Sequence, residues 1–336
     1  MLLSMSISQV FLKRKTIKTK HSGGLPRILL LLLCLFALVT DAFSYDFYER
    51  SRGQLLFFNI LSAEEHTCEV TFGDPGSHYE GSYTIPRSVR HQGRRYRVTA
   101  VGKRAFKDCT SLTGITIPAN ITRIDSAAFS GCSGIYRLRL PKQLTYLGEM
   151  AFYGCSALSY VEIPASVGFV GAGAFGDCES LMDINVADGN TRYSDMDGSG
   201  CVVDLKTHVL VQASGSAVIP KNVVEIGAYA FSGRVELTSV NIPDRVTTIG
   251  AYAFYGCRQL TEIQLPQYLS NIGSRAFFFC TSLRSVAAQN PVPSPIAADA
   301  FQPSGYERVV LTVPVVTDEA YRSKEGWSQF RQILTE

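Results

Sequence analysis

The apolar positions of this chain return on a fixed period. An Ala-Phe pair recurs with Phe at 106, 129, 152, 175, 231, 254, 277 and 301, so that most steps are 23 residues and one is 56. Self-similarity of this kind marks an architecture of stacked units. Cys follows three residues after Phe at 109, 132, 155, 178, 257 and 280; before the last Phe, only Arg234 breaks that column. Further on, aliphatic residues alternate with polar ones, as in Ile115 and Ile117 or Ile263 and Leu265, and Pro closes the run at 118, 141, 164, 243 and 266. Alternation is the period of a half-buried strand. Pro ends such a strand because it has no N–H to donate.

A second apolar pair, such as Val246 and Ile249, leads into Gly250 and predicts a sharp corner there. The Ala-Phe segment is too short for a full helix and predicts a helical turn whose Phe plugs the interior. One unit cannot bury enough apolar surface to offset the ordering of its own backbone, so neighbouring units must stack. The pattern predicts a mainly β solenoid of about seven 23-residue coils with short helical turns. Arg234 is expected either to open its coil locally or to turn its side chain outward. The long step carries an insertion over Asp188 to Ser216. There Cys201-Val202-Val203 and Val209-Leu210-Val211 predict a hairpin around Asp204 to Thr207. Pro291-Val292-Pro293-Ser294-Pro295 forms a stiff exit from the last coil.

The motif A-F-x-x-C-x-x-L-x-x-I-x-I-P followed by V-T-x-I-G resembles the repeat of the BspA-like leucine-rich repeat family. It is seen in Ala253-Phe254-Tyr255-Gly256-Cys257 through Pro266 and in Val246-Thr247-Thr248-Ile249-Gly250. Tyr45-Asp46-Phe47 through Val70-Thr71, with Tyr83-Thr84-Ile85-Pro86 and Tyr96-Arg97-Val98, is similar to the family's N-terminal strand module. Leu311-Thr312-Val313-Pro314, Ala320-Tyr321 and Gly326-Trp327-Ser328-Gln329-Phe330 are similar to its C-terminal cap. The resemblance covers residues 45–336 and implies a right-handed leucine-rich repeat solenoid of an exported bacterial protein. It says little about a ligand. The expected division is a signal peptide over 1–44, an N-terminal β cap module over 45–97, the solenoid over 98–290 with its hairpin insertion at about 188–216, and a C-terminal cap over 291–336.

Composition sharpens the expectation of export. Six of the 32 basic residues but one of the 29 acidic residues lie in the first 44 positions, ahead of and around the apolar run Ile28 to Val39. That run is shorter than the ~20 residues that span a bilayer, so it predicts a targeting segment and no integral span. Cleavage after Ala42 or after Ser44 fits the small residues there; initiation at Met5 and retention as an uncleaved anchor are alternatives. Cys34 follows Leu33, where a lipid-attachment box has a small residue. Without the leader, 26 basic residues face 28 acidic ones, which gives the body no overall attraction for nucleic acid or anionic membrane.

The periodic Cys residues suit a ladder of buried thiols, although coil spacing is also within reach of a disulfide. Cys68 and Cys201 lie off the column and are not expected to pair. Gly171 to Gly176 matches G-x-G-x-x-G, but two of its glycines belong to repeat columns and no long helix follows. Asp195-Met196-Asp197-Gly198 lacks the remaining ligands of a calcium loop. No CxxC, G-x-S-x-G or H-E-x-x-H occurs and the five His are scattered. Neither an enzyme nor a metal or other cofactor is therefore expected. Arg87, Arg90, His91, Arg94, Arg95 and Arg97 form a basic run before the first coil, either a solvated loop or a contact for an anionic partner.

Between the inward strand positions lie outward ones that the fold leaves free to vary. Arg137, Arg139, Tyr160, Glu162 and Asp183 form the centre of the expected recognition face, with Asn185, Asn241, Glu262 and Gln264 beside them. Arg and Tyr are frequent anchors of interfaces. A sheet face of this length suits a macromolecule better than a small ligand, which needs an enclosed pocket. The expectation is a secreted or cell-surface binding and adhesion module, with a periplasmic site also compatible, for a protein or glycan of a host or neighbouring cell. The alternative is a scaffold or assembly component of the bacterial envelope.

Overall fold

The computed structural model describes residues 45–336 apart from 52 and 74–78; the expected signal peptide over 1–44 lies outside the described residues. Strands β1 (Phe47–Ser51), β2 (Gln54–Ser62) and β3 (Thr67–Thr71) form an antiparallel meander. β4 (Gly81–Thr84), β5 (Ser88–His91) and β6 (Arg94–Val101) follow. β5 and β6 make an antiparallel hairpin, and β6 runs parallel to β3.

From here each coil contributes to three walls. The first wall holds the alternating strands: β7 (Leu112–Thr116), β10 (Tyr160–Ile163), β12 (Asp183–Val186), β18 (Glu262–Leu265), β20 (Ser285–Ala288), β21 (Val310–Val313) and β22 (Gln332–Thr335). All pair in parallel, β4 with β7, β10 with β12, and β18, β20, β21 and β22 in one run. The stack thus has about ten rungs rather than seven, because β4, β21 and β22 extend it at the ends; β21 still follows a stacked Phe, Phe301, but has no Cys three residues on. A terminal rung needs only a free peptide edge. Residues 135–140 and 239–242 were expected as strands and take no strand pairing. Leu138 and Leu140 still point inward, at 9% and 6% exposure against none for Val161 and Ile163. The interior is thus less tightly closed where these rungs leave the ladder.

The second wall consists of two-residue strands. The end of β6 pairs with β8 (Arg123–Ile124), then β9 (Tyr146–Leu147) and β11 (Phe169–Val170). After the insertion β16 (Glu225–Ile226), β17 (Thr248–Ile249) and β19 (Asn271–Ile272) repeat the pattern. Gly follows every pair except Arg123–Ile124, where Asp125 stands, but its role is close approach rather than a left-handed corner. A Cβ on Gly250 would lie 2.6 Å from the Ala228 amide nitrogen, and one on Gly171 2.4 Å from that of Glu149.

The Ala-Phe turns make the third wall. The amides of Ala105, Lys107 and Cys109 close i→i−3 turns onto Gly102, Arg104 and Phe106. The intervening amides of Arg104, Phe106 and Asp108 donate to Ser126, Ala128 and Ser130 of the next coil. This alternation recurs coil after coil. It places residues flanking Phe in the left-handed region, among them Arg104, Asp108, Ala127 and Tyr252, and so keeps the turn from growing into a helix. Inside, the Phe rings stack at 4.9 Å (Phe106 on Phe129, Phe129 on Phe152) and 5.5 Å (Phe152 on Phe175). A second column runs from Phe231 through Phe254 and Phe277 to Phe301.

Between the two columns lies the inserted hairpin, β14 (Cys201–Asp204) and β15 (Val209–Ala213), preceded by β13 (Tyr193–Ser194). β15 joins the second wall by pairing with β16. β14 is buried on both faces: Val202 belongs to the core of the first half, Cys201 and Val203 to that of the second. The hairpin interrupts the coil-to-coil bonds, and two side chains restore them. Gln212 accepts from the Phe175 amide (3.3 Å) and donates to the Ala230 carbonyl (3.0 Å). Arg234 does not turn outward. It is buried, and its Nε, Nη1 and Nη2 donate to the carbonyls of Ala213 (2.7 Å), Cys178 (2.6 Å) and Phe175 (2.9 Å). Regular coils use a thiol for the last of these bonds, as Cys155 Sγ does to the Phe129 carbonyl at 3.3 Å. Where the hairpin separates the halves, only a longer donor spans the gap. Burial lowers the guanidinium pKa, opposed by nearby Cys178, Cys257 and Asp177.

The C-terminal end is closed by α1 (Pro303–Arg308), α2 (Asp318–Ser323) and the buried Trp327, whose Nε1 donates to the Ser294 carbonyl at 2.7 Å.

Replacing Arg234 with Ala removes a donor from each of three carbonyls and leaves a cavity, with an expected loss of about 3–5 kcal/mol. Arg234→Cys restores the repeat consensus, yet its thiol cannot reach all three carbonyls and should destabilise too. Urea titration followed by circular dichroism checks both. A stability equal to the parent for either variant contradicts the bridging role.

Candidate functional site

The strand wall carries the candidate site. Its inward side chains, such as Val161, Ile163, Ile184, Ile263 and Leu265, are buried, and the side chains between them face solvent. The register brings Tyr160 opposite Asp183 and Glu162 opposite Asn185. The Tyr160 hydroxyl donates to Glu162 Oε2 at 3.4 Å. Partial burial and neighbouring Glu162 and Asp183 raise the Tyr160 pKa, keeping it a neutral donor. Arg137 and Arg139 are exposed on the preceding unpaired rung, and the Arg137 guanidinium lies 5.7 Å from the exposed ring of Tyr136.

Asn241, Glu262 and Gln264 do not join this group. They belong to the half of the stack beyond the hairpin, Glu262 and Gln264 on a strand of a different sheet and Asn241 on the unpaired rung before it. There they border an open groove of about 350 Å³ together with Ser239, Ser285 and Ala287. The register sets Glu262 opposite Ser285 and Gln264 opposite Ala287. Small side chains on one rung thus form the floor beside larger amides and a carboxylate on the next. Among the described residues, no ion pair uses Arg137, Arg139, Glu162, Asp183 or Glu262. No opposite charge within the described chain balances them, although Glu162 accepts from the Tyr160 hydroxyl and Arg137 lies near the Tyr136 ring.

Two further outward columns were not singled out from the sequence. Arg123 lies 3.9 Å over the ring of Tyr146, which stacks on Phe169 at 4.8 Å. On the turn wall Tyr229 stacks on Tyr252 at 4.7 Å, with Arg275 at 5.8 Å from the latter ring. The signal was available, since each column advances in steps of 23, but it lies one position beside the apolar columns that define the repeat.

The cysteine column offers no reactive nucleophile. The eight described cysteines are free thiols, all buried, and Cys68 and Cys201 are unpaired. Burial pushes the thiols of Cys68, Cys178, Cys201 and Cys257 up to about 12. The described residues hold no group of three or more His, Cys, Asp or Glu able to bind a metal ion, and no helix long and apolar enough to cross a membrane.

A stack of parallel rungs around a Phe and Cys interior, with one open strand wall, defines a leucine-rich repeat solenoid. The model of the BspA type leucine rich repeat region, six copies long, matches residues 95–201 and 213–324, and the chain belongs to that family. Its fold is similar to that of a leucine-rich repeat protein from Bacteroides ovatus, at 22% identity and a TM-score of 0.54, over 87% of this chain and 77% of that one. A leucine-rich repeat protein from Eubacterium ventriosum is similar at 21% identity and a TM-score of 0.54, over 85% and 84%. No curated protein matches.

The buried thiols generate a prediction with a definite sign. Their folded pKa values lie above the ordinary 9.0. An unfolded chain therefore loses these protons first as pH rises, and folding stability should fall between about pH 9 and pH 12. At pH 8 a thiol reagent should leave these eight cysteines of the folded chain unmodified and label them in denaturant. Rapid labelling of the folded chain contradicts the buried column.

Proposed function

We propose that the chain is an exported binding module that holds a protein or glycan of a host or neighbouring cell on its strand wall. The observation that carries this reading is the row of exposed side chains at Arg137, Arg139, Tyr160, Glu162 and Asp183, whose charges take part in no ion pair among the described residues. Opposite charges on neighbouring rungs stay unmatched within the chain and are free to pair across an interface. About ten rungs at ~4.8 Å make a face of roughly 45 Å, long enough for the ~800 Å² that each partner buries in a standard interface. The groove around Asn241, Glu262 and Gln264 is open along the sheet and suits an extended segment or chain of sugars better than an enclosed small molecule. The polar groups are spread along the wall and do not converge on one reacting centre, which favours binding over catalysis.

Export rests on the basic and apolar pattern of residues 1–44. It places the module in the medium, on the cell surface or in the periplasm. A second reading, a spacer or scaffold within the envelope, is favoured by the length of the stack itself.

Arg137→Glu with Arg139→Glu separates the two. Labelled chain is added to host or neighbouring cells and the bound fraction measured. The double reversal should lower binding roughly tenfold or more while leaving the unfolding midpoint unchanged. Equal binding by parent and variant removes the Arg137 and Arg139 rung from the interface. Self-association by light scattering, untouched by the reversal and without binding to cells, selects the scaffold.

A further inference from the structure

A second surface lies at the N-terminal end, apart from the strand wall. β5 and β6 pair with Val89 opposite Tyr96, Arg90 opposite Arg95, His91 opposite Arg94 and Ser88 opposite Arg97. Val89, Tyr96 and Val98 are buried. The alternation therefore sends Arg90, Arg95 and Arg97 to the opposite face of the ribbon, where all three are exposed. Arg87 and Arg94 at the strand ends are exposed as well. His91 is turned away from them, stacked on Phe47 at 4.4 Å.

Nothing on the described chain neutralises these guanidinium groups. None of the five arginines takes part in an ion pair among the described residues. Glu49 approaches, but its Oε2 accepts from the Arg90 backbone amide at 2.8 Å. The Arg95 Nε donates to Ser88 Oγ at 2.7 Å, a bond that orients the side chain without balancing its charge. Like charges directly opposite on paired strands destabilise the hairpin. Folding alone gives no reason for five arginines on a short ribbon in a body with more acidic than basic residues.

We propose that this ribbon is a binding site for a linear sulfated polysaccharide. Arg95 and Arg97 stand ~6.8 Å apart along their strand, and Arg90 lies ~5 Å across from Arg95, a spacing that matches successive anionic groups on a chain of sugars. The guanidinium fork is planar and weakly hydrated, and it binds a tetrahedral oxyanion through two parallel hydrogen bonds. A sulfate ester spreads one negative charge over three oxygens and fits that fork. Every large apolar side chain within β5 and β6 is buried, so the ribbon has neither the dry centre of a protein interface nor a wedge for a membrane. The partner it suits is hydrophilic and repetitively charged.

The test uses the full-length chain and heparin oligosaccharides as the probe, with N- and O-desulfated heparin, polyphosphate and phosphatidylglycerol vesicles in parallel arms. Binding to heparin that falls steeply with salt is expected, with at least tenfold weaker binding in every other arm. The variant Arg90→Ser/Arg95→Ser/Arg97→Ser should lose roughly tenfold or more in heparin affinity. The charge-matched control Arg245→Ser/Arg308→Ser/Arg331→Ser, at exposed positions elsewhere, should bind as the parent. Equal loss in the two triple variants, or equal binding of desulfated heparin, polyphosphate or vesicles, overturns the proposal. Arginine-selective modification read by mass spectrometry on the unaltered chain gives a test that does not depend on variant folding. Heparin should protect Arg90, Arg95 and Arg97, and unprotected modification there overturns the proposal equally. Because Arg137 and Arg139 lie on another wall, their reversal should leave heparin binding intact, which keeps this site separable from the strand-wall interface.

Discussion

The hydrogen bond between the backbones of adjacent coils governs this molecule. Along the Ala-Phe turn every second amide is committed to the next coil and the others to their own. Two requirements follow. Residues beside Phe must accept left-handed backbone geometry, which arginine, alanine and tyrosine adopt here at a cost that stacking offsets. The coils must also approach so closely that no Cβ fits at Gly171 or Gly250. The Phe rings and the thiol-to-carbonyl bonds then fill an interior whose height those backbone bonds set. The period of 23 keeps donors opposite acceptors on either side of the insertion, and the one step of 24, from Phe277 to Phe301, still lets the Phe277 amide reach the Ala300 carbonyl at 2.8 Å.

What the sequence discloses is what the interior demands. The Phe, Cys and Pro columns each answer a local need, namely a plug, a small donor and a strand end, and each is visible as a period. The less legible features depend on groups far apart in the chain. Arg234 looks like a fault in the cysteine column. Its inward pose makes sense only once Phe175, Cys178 and Ala213 are seen around it. Gln212 carries no periodic mark at all, since it replaces a backbone bond that the hairpin removed. The segments of β4 and β21 were legible as parts of the end modules, but that they and β22 join the strand wall as further rungs was not, because a peptide edge has no side-chain signature.

The same reasoning applies to the candidate site. Alternation identifies which residues face outward, so the exposure of Arg137, Tyr160, Glu162 or Glu262 was legible. The division of these residues into two groups was not, because it follows from where the hairpin enters the stack. The arginine ribbon was visible as a run of charge. Its pairing across β5 and β6, which sets Arg90 against Arg95, belongs to the register alone.

The seam at Arg234 and Gln212 also bears on how the solenoid carries load. Elsewhere, adjacent coils are tied by repeated peptide bonds on the turn wall, and tension along the stack is shared among them. At the seam that wall is bridged mainly by side chains, Arg234 and Gln212 inside and the Glu179–Arg258 ion pair at 3.0 Å outside, with a direct tie from the Asp177 amide to the Ser232 carbonyl at 2.9 Å. Side chains yield by rotating about their bonds, whereas a peptide ladder must shear. Under axial pull the molecule therefore behaves as two stiff rods joined by a compliant coupling, and its extension begins at the hairpin.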